Sequence, residues 1–239
     1  MLSMKVALIT GGSRGIGAAA VEKFAKCGYT VILNYNASEL TARQLQQRLS
    51  AENCDVHLFK ADVSCVSDVA AMFDYVGKYF KHLDVLVNNA GVALTSQIQD
   101  VKEHDYDKVM SVNAKGTFFC CKYALPYLIK CGGTIVNVAS IWGVRGSSCE
   151  SVYAMSKHAV VGLTRSLSLE LDGTGVTVNA LCPSMVLTDM TSRYSQEDVD
   201  AFCRETGTRV CTPEQIADRI YDVATSHTNG AVLEVIPLG

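Results

Sequence analysis

The 239-residue sequence has one tryptophan, four prolines and no cluster of more than two neighbouring cations. With 21 Lys and Arg against 24 Asp and Glu, its net charge is −3. That balance offers no basic footprint for nucleic acid, and none is expected as a partner. No run approaches the ~18 apolar residues a membrane span needs, so no membrane segment is predicted. No Pro-, Ser- or charge-rich linker interrupts the chain, and residues 1–239 are expected to form one domain. Ten cysteines are present, but none stands in a C-x-x-C pair, and the histidines (His57, His82, His104, His158, His227) show no ligand spacing. No metal site or disulfide framework is predicted. The thiols read as small buried hydrophobes in a reducing compartment. Strand-like residues Val6-Ala7-Leu8-Ile9 begin early enough that no secretory signal is expected before them, and the expected location is cytoplasmic.

What the chain does have is 49% hydrophobic and 19% charged residues, enough to bury a large core. Short β-branched runs near 5–10, 30–35, 56–60, 84–88, 133–139, 176–181 and 231–235 alternate with segments of helical period near 15–27, 38–50, 67–80, 105–128, 151–171 and 213–224. Alternation of this kind predicts an α/β protein: a Rossmann-type, doubly wound parallel sheet of about seven strands, with right-handed crossovers. Residues 182–212 have poor periodicity and read as an irregular excursion over the carboxyl edge of the sheet, a candidate substrate loop.

Strand one runs into Thr10-Gly11-Gly12-Ser13-Arg14-Gly15-Ile16-Gly17, and a helix follows at once. Glycines let the backbone turn sharply and let N–H groups and the helix N-terminus approach a pyrophosphate, which points to a dinucleotide site. After strand two the chain reads Asn34-Tyr35-Asn36-Ala37-Ser38, where an NAD enzyme would present a carboxylate to the ribose 2′-hydroxyl. No acid stands there to repel a 2′-phosphate, and Arg14 offers a cation to it, so NADP(H) is the expected cofactor. The alternative for Arg14 is a solvated loop charge.

The G-x-x-x-G-x-G spacing of this loop resembles the cofactor loop of the short-chain dehydrogenase/reductase family. Further stretches, spread over nearly the whole chain, are similar to that family. Asp62-Val63 after strand three resembles its adenine-contacting pair, and Asn88-Asn89-Ala90-Gly91 after strand four its next marker, which implies cofactor contacts from Asn89, Ala90 and Gly91. Tyr153-Ala154-Met155-Ser156-Lys157 sets a phenol and an ammonium at i and i+4, on one helix face. With Ser140 at the end of strand five and Asn113 in the preceding helix, they resemble the family's catalytic tetrad. The resemblance implies ketone reduction in which Tyr153 is the acid and Ser140 orients the same oxygen. Lys157 is expected to lower the tyrosine pKa and to reach the nicotinamide ribose, and Asn113 to hold a water linking Lys157 to solvent. Pro183-Ser184-Met185-Val186-Leu187-Thr188 occupies the slot of the family's Pro-Gly segment, implying nicotinamide contacts from Pro183, Val186 and Thr188. Ser184 replaces the glycine there, so a different backbone path is expected.

Length and the Asn-Tyr turn after strand two resemble the 3-oxoacyl-(acyl-carrier-protein) reductase branch of the family, which implies fatty acid biosynthesis. The segment Ser140-Ile141-Trp142-Gly143-Val144-Arg145-Gly146-Ser147-Ser148-Cys149-Glu150 resembles a narrower branch that reduces the 5-aminopentanone modification of elongation factor P. Either branch implies a small-molecule or carrier-linked ketone. Trp142 is a candidate substrate wall and Glu150 a candidate partner for an amine. Equally, Trp142 packs under the loop and Glu150 is a first-turn helix acid. A catalytically silent NADP(H)-binding sensor or scaffold is the competing class. Val152, Met155, Ala159, Val160, Leu163, Leu167 and Leu171 exceed one apolar stripe, which predicts self-association, a homotetramer (or dimer) through helices 105–128 and 151–171 as in the family. The ending Leu233-Glu234-Val235-Ile236-Pro237-Leu238-Gly239 departs from the family's usual V-D-G-G, leaving tail contacts open.

Overall fold

A computed structural model describes residues 4–192 and 194–235; the last four residues of the atypical ending lie outside that range. Seven strands, β1 (Val6–Ile9), β2 (Thr30–Tyr35), β3 (Val56–Lys60), β4 (Val85–Asn88), β5 (Thr134–Val138), β6 (Thr177–Pro183) and β7 (Val232–Val235), form one sheet in the order β3-β2-β1-β4-β5-β6-β7. All six pairings are parallel. The helices are α1 (Gly15–Lys26), α2 (Glu39–Ala51), α3 (Val66–Tyr79), α4 (Glu103–Met110), α5 (Thr117–Leu128), α6 (Ser151–Glu170), α7 (Gln196–Thr206) and α8 (Pro213–Thr225). The expected doubly wound α/β fold is the one observed.

Strands buried on both faces need apolar residues at successive positions, and β1, Val-Ala-Leu-Ile, is buried at every one. Because side chains alternate, Ala7 and Ile9 enter a core with α1, α2 and α8, where Phe24, Leu49 and Ile220 sit. Val6 and Leu8 enter the opposite core with α3, α5 and α6, where Phe73, Leu128 and Leu167 sit. Strand order reverses between β1 and β4. That reversal opens a crevice at the carboxyl ends of the strands, the place where ligands bind in open α/β sheets.

Two sequence expectations are corrected. The single helix expected over 105–128 is α4 and α5 joined by a π turn, Ser111–Gly116, which widens the helix by one residue and carries Asn113. The segment 182–212 is not wholly irregular: α7 lies inside it, started by a capping box in which Ser195 accepts from the Asp198 N–H while the Asp198 carboxylate accepts from the Ser195 N–H.

The second apolar face expected on α6 is also smaller than the sequence implies. Val152, Val160, Leu167 and Leu171 are buried within the chain, and Leu163 is half-buried. Met155 and Ala159 do stay exposed, in line with Gly162, Ser166 and Leu169. None of the ten cysteines is paired, and among the described residues no group of metal-binding side chains occurs and no helix is long and apolar enough to cross a membrane.

Candidate active site

A cavity of about 870 Å³ occupies the crevice, and it joins the glycine loop to Ser140, Tyr153 and Lys157. Gly11 has φ +62°, open to glycine at no steric cost. A Cβ on Gly17 would fall 2.2 Å from the Gly11 carbonyl oxygen, so only glycine lets the helix start this close to the loop. Thr10 ties the loop to the β4 end: its Oγ1 accepts from the N–H groups of Asn89 (2.9 Å) and Ala90 (3.0 Å). The Asn89 amide donates back to Thr10 O at 2.9 Å. Arg14 is the N-cap of α1 but gives no side-chain cap to the first-turn N–H groups, and Ser13, Gly15 and Ile16 line the cavity beside them. Open donors at a helix N-terminus suit a pyrophosphate.

Asn34 is buried and structural in its bonding. Its Oδ1 accepts from Gly11 N–H at 3.3 Å, and its amide donates to Ala61 O at 3.0 Å, so it anchors the loop to β2 and β3. Tyr35 and Asn36 line the cavity beside it, and Asn36 donates to Asp62 Oδ2 at 2.9 Å. Burial works to raise the Asp62 carboxyl, but hydrogen bonds from Ser64 and Asn36 outweigh it and hold the group below its usual value. It therefore stays an acceptor, next to Val63 on the cavity wall. No carboxylate occupies 34–38. Arg14 stands exposed at the mouth, 3.8 Å from Asp189, a pairing weak enough to be given up to a better anion.

At the other end, Ser140 follows β5 and lines the cavity with Tyr153 on α6, its hydroxyl near enough to act on the phenol. It also accepts from Trp142 N–H at 3.2 Å. Burial pushes the Tyr153 phenol up to about 12, more than the neighbouring Ser140 hydroxyl pulls it down. Burial pulls the Lys157 ammonium down to about 8. Lys157 Nζ lies 5.7 Å from the Tyr153 ring centre and donates to Val138 O at 2.9 Å. The expectation that Lys157 lowers the tyrosine pKa is thus corrected for the ligand-free chain: desolvation dominates, and the ammonium spends a hydrogen bond on the backbone. Asn113 uses its side chain fully, accepting from Val92 N–H at 2.8 Å and donating to Val92 O and Ser156 Oγ, both at 2.9 Å. Ser156 donates in turn to Tyr153 O at 2.7 Å, so the π turn braces both the Gly91–Val92 loop and the turn of α6 that carries the phenol.

Pro183, Val186 and Thr188 all reach the cavity, and a Cβ on Gly15 would lie 3.1 Å from Thr188 Cγ2, so this segment closes over the loop. Ser184 is accommodated without a left-handed backbone. Its hydroxyl donates to Arg209 O at 2.7 Å, and its N–H donates to Val235 O. Trp142 lines the cavity and meets Phe202 of α7 edge to face, ring centres 5.7 Å apart. Glu150 lines the same end and accepts from Ser147 Oγ at 3.0 Å. Sequence reasoning missed Asp198, Phe202 and Glu205, which α7 contributes to the cavity wall. It also passed over Thr10 and Ser156 as bracing groups. The signal for α7 was Ser195-Gln196-Glu197-Asp198, a capping box legible in the letters.

Residues 5–199 match the short chain dehydrogenase family. The 3-oxoacyl-(acyl-carrier-protein) reductase FabG of Staphylococcus aureus is 37% identical over 198 residues, covering 82% of this chain and 80% of that protein. Meso-2,3-butanediol dehydrogenase of Serratia marcescens is 36% identical over 235 residues, covering 97% and 92%. A solved short-chain dehydrogenase/reductase from Serratia marcescens superposes with a TM-score of 0.91 at 30% identity, covering 98% of this chain and 97% of that one.

Proposed function

The chain belongs to the short-chain dehydrogenase family and is an oxidoreductase of that family, and from that premise we propose that it reduces a ketone to a secondary alcohol with NADPH. One observation carries the reading: a single cavity holds the glycine loop at one end and Ser140, Tyr153 and Lys157 at the other. The loop's left-handed Gly11, the close packing of Gly17 and the open N–H groups of α1 fit a dinucleotide. NADPH, when bound, supplies the hydride that reaches the carbonyl carbon.

The chain's part is proton management and placement. Negative charge grows on the carbonyl oxygen during reduction, and Tyr153 gives it the phenolic proton while the Ser140 hydroxyl donates a hydrogen bond to the same oxygen. A phenol near 12 is still more acidic than the alcohol it makes. Lys157, charged at neutral pH even with its pKa at about 8, keeps a cation beside the Tyr153 ring at the cavity wall. Asn113 acts by position, through Val92 and Ser156.

FabG, a relative acting on a carrier-linked 3-oxoacyl group, supports an acyl thioester as substrate. A second reading is an amine-bearing ketone such as 5-aminopentanone-modified elongation factor P. It is favoured by the acids Glu150, Asp198 and Glu205 around the substrate end of the cavity, which would attract a cation and repel an anionic carrier. The test is oxidation of NADPH and NADH with an acetoacetyl thioester and with the modified elongation factor. Turnover of either ketone supports reduction, and preference between them selects the carrier. Arg14→Gln should weaken NADPH by about tenfold or more, the worth of one charge-assisted hydrogen bond, and leave NADH unchanged. Equal loss for both cofactors would remove Arg14 from the 2′-phosphate.

Self-association is part of the same proposal. Met155, Ala159, Gly162, Ser166 and Leu169 align on the outer side of α6, with Phe118 exposed on α5. Nothing lies within 4 Å of a Cβ on Gly162, so another helix can approach closely. We expect a homotetramer. Met155→Glu should lower its mass to that of a dimer or monomer in sedimentation, and a variant that sediments like the parent would exclude this face.

A further inference from the structure

We infer that Arg145 is a positioning residue for ketone binding: its guanidinium clasps the carboxyl end of α7 to the sheet and so fixes the aromatic wall of the cavity. The inference rests on the reading of this cavity as a ketone site, and goes beyond it in assigning a residue that does not line the cavity.

Arg145 Nη1 donates to Thr206 O at 3.1 Å, and Nη2 donates to Glu234 Oε2 at 2.6 Å. One planar fork therefore joins three segments remote in sequence: the turn after β5, the end of α7 and β7. Thr206 is the last residue of α7, where helix carbonyls have no partner of their own and the helix dipole is negative. A cation there satisfies a carbonyl and opposes that charge. Gly207 follows at φ +66° and ends the helix.

The clasp matters because little else holds α7. None of its residues is fully buried, its inner face bordering the cavity instead of a core. Its one aromatic contact is Phe202 against Trp142, three residues before Arg145 in the chain. Ion pairs as exposed as Arg145 and Glu234 add little to global stability. They can still decide where a lightly held helix sits, since that equilibrium is small to begin with. Freed from the clasp, α7 would draw Phe202 off the indole and loosen the pocket for the ketone, without touching the glycine loop across the cavity.

Trp142 is the only tryptophan of the chain, so its emission reports the position of α7 with or without turnover. In the full-length protein with NADPH, Arg145→Met should raise KM for the ketone about tenfold, as for a lost charge-assisted hydrogen bond, with kcat and NADPH affinity within about twofold. Acrylamide quenching of Trp142 should rise about twofold or more in step with the freed helix. Glu234→Gln should move both readouts the same way by less, and Arg145→Lys should restore part of each. The double variant should be no worse than Arg145→Met, because both residues act through one contact. Unchanged quenching and KM in Arg145→Met, or additive losses in the double variant, would overturn the clasp. If Arg145→Met fails to fold, Glu234→Gln carries the quenching test. A chain that turns over no ketone would defeat the proposed function but leave the quenching result standing, so the two failures are distinct.

Discussion

Tyr153→Phe should lose ketone turnover by about a thousandfold while binding NADPH as the parent does, since a general acid is worth roughly 10²–10⁴. The substitution keeps the ring and removes one oxygen. Lys157 Nζ, 5.7 Å from the ring centre and bonded to Val138 O, has no hydrogen bond to that oxygen to lose. The glycine loop is braced by Thr10, Asn34 and Asn89, none of which touches α6. Steady-state rates beside a fluorescence titration with NADPH separate the two effects. A sensor that binds NADPH and does nothing with it would be indifferent to the change. Turnover equal to the parent's would remove Tyr153 as the proton donor and with it the present reading of the site.

The parts of this site that were legible in the letters are those whose partners are close in sequence or set by the sheet. Thr10 to Gly17 had to be a strand-to-helix turn because β1 ends and α1 begins within it. Tyr153 and Lys157 share a face because they are four apart on a helix. Ser140 arrives beside them because β5 neighbours β6 and its carboxyl end opens on the crevice.

What was not legible depends on distant contacts. The π turn around Asn113 is specified by Val92, 21 residues away, and by Ser156, 43 residues away, so no local period announces it. Helix α7 was missed because periodicity detects a buried face, and α7 has none: its inner side borders a cavity. The perturbed Tyr153 and Lys157 were misjudged for a related reason. Proximity in sequence suggested mutual attraction, but the depth of burial that governs both pKa values is a property of the assembled crevice.

The apoprotein should lose its stability steeply above about pH 9, because four buried thiols resist ionisation that the unfolded chain permits. Burial raises the pKa of Cys120, takes Cys121 up to about 12 and Cys182 up to about 11, and raises Cys211. Below the ordinary thiol value of 9.0 all four are neutral in both states, and their contribution is intact. As pH climbs past it, the unfolded chain releases protons that the folded chain keeps, and Cys120, Cys121 and Cys182 each remove about 1.4 kcal/mol per pH unit until the folded thiol itself ionises. Lys157 has the opposite sign: between its folded value of about 8 and its ordinary 10.5, the unfolded chain holds the extra proton, so stability rises there by a comparable slope. The expected profile is a slight gain from about pH 8 to 9, then a net loss of roughly 3 kcal/mol per pH unit from two uncompensated thiols. Against a total of about 5–15 kcal/mol, that is a large share of the stability by the folded Cys182 value of about 11. Melting of the ligand-free protein by circular dichroism across this range reads the slope, and Cys120→Ala with Cys121→Ala should remove about two-thirds of the thiol share. A melting temperature level to about pH 10.5 would sink the burial argument. The consequence reaches catalysis. Alcohol oxidation releases a proton and is favoured at high pH, so these thiols close the alkaline range where the reverse reaction would run best and leave the neutral range, where ketone reduction is favoured, to the folded enzyme.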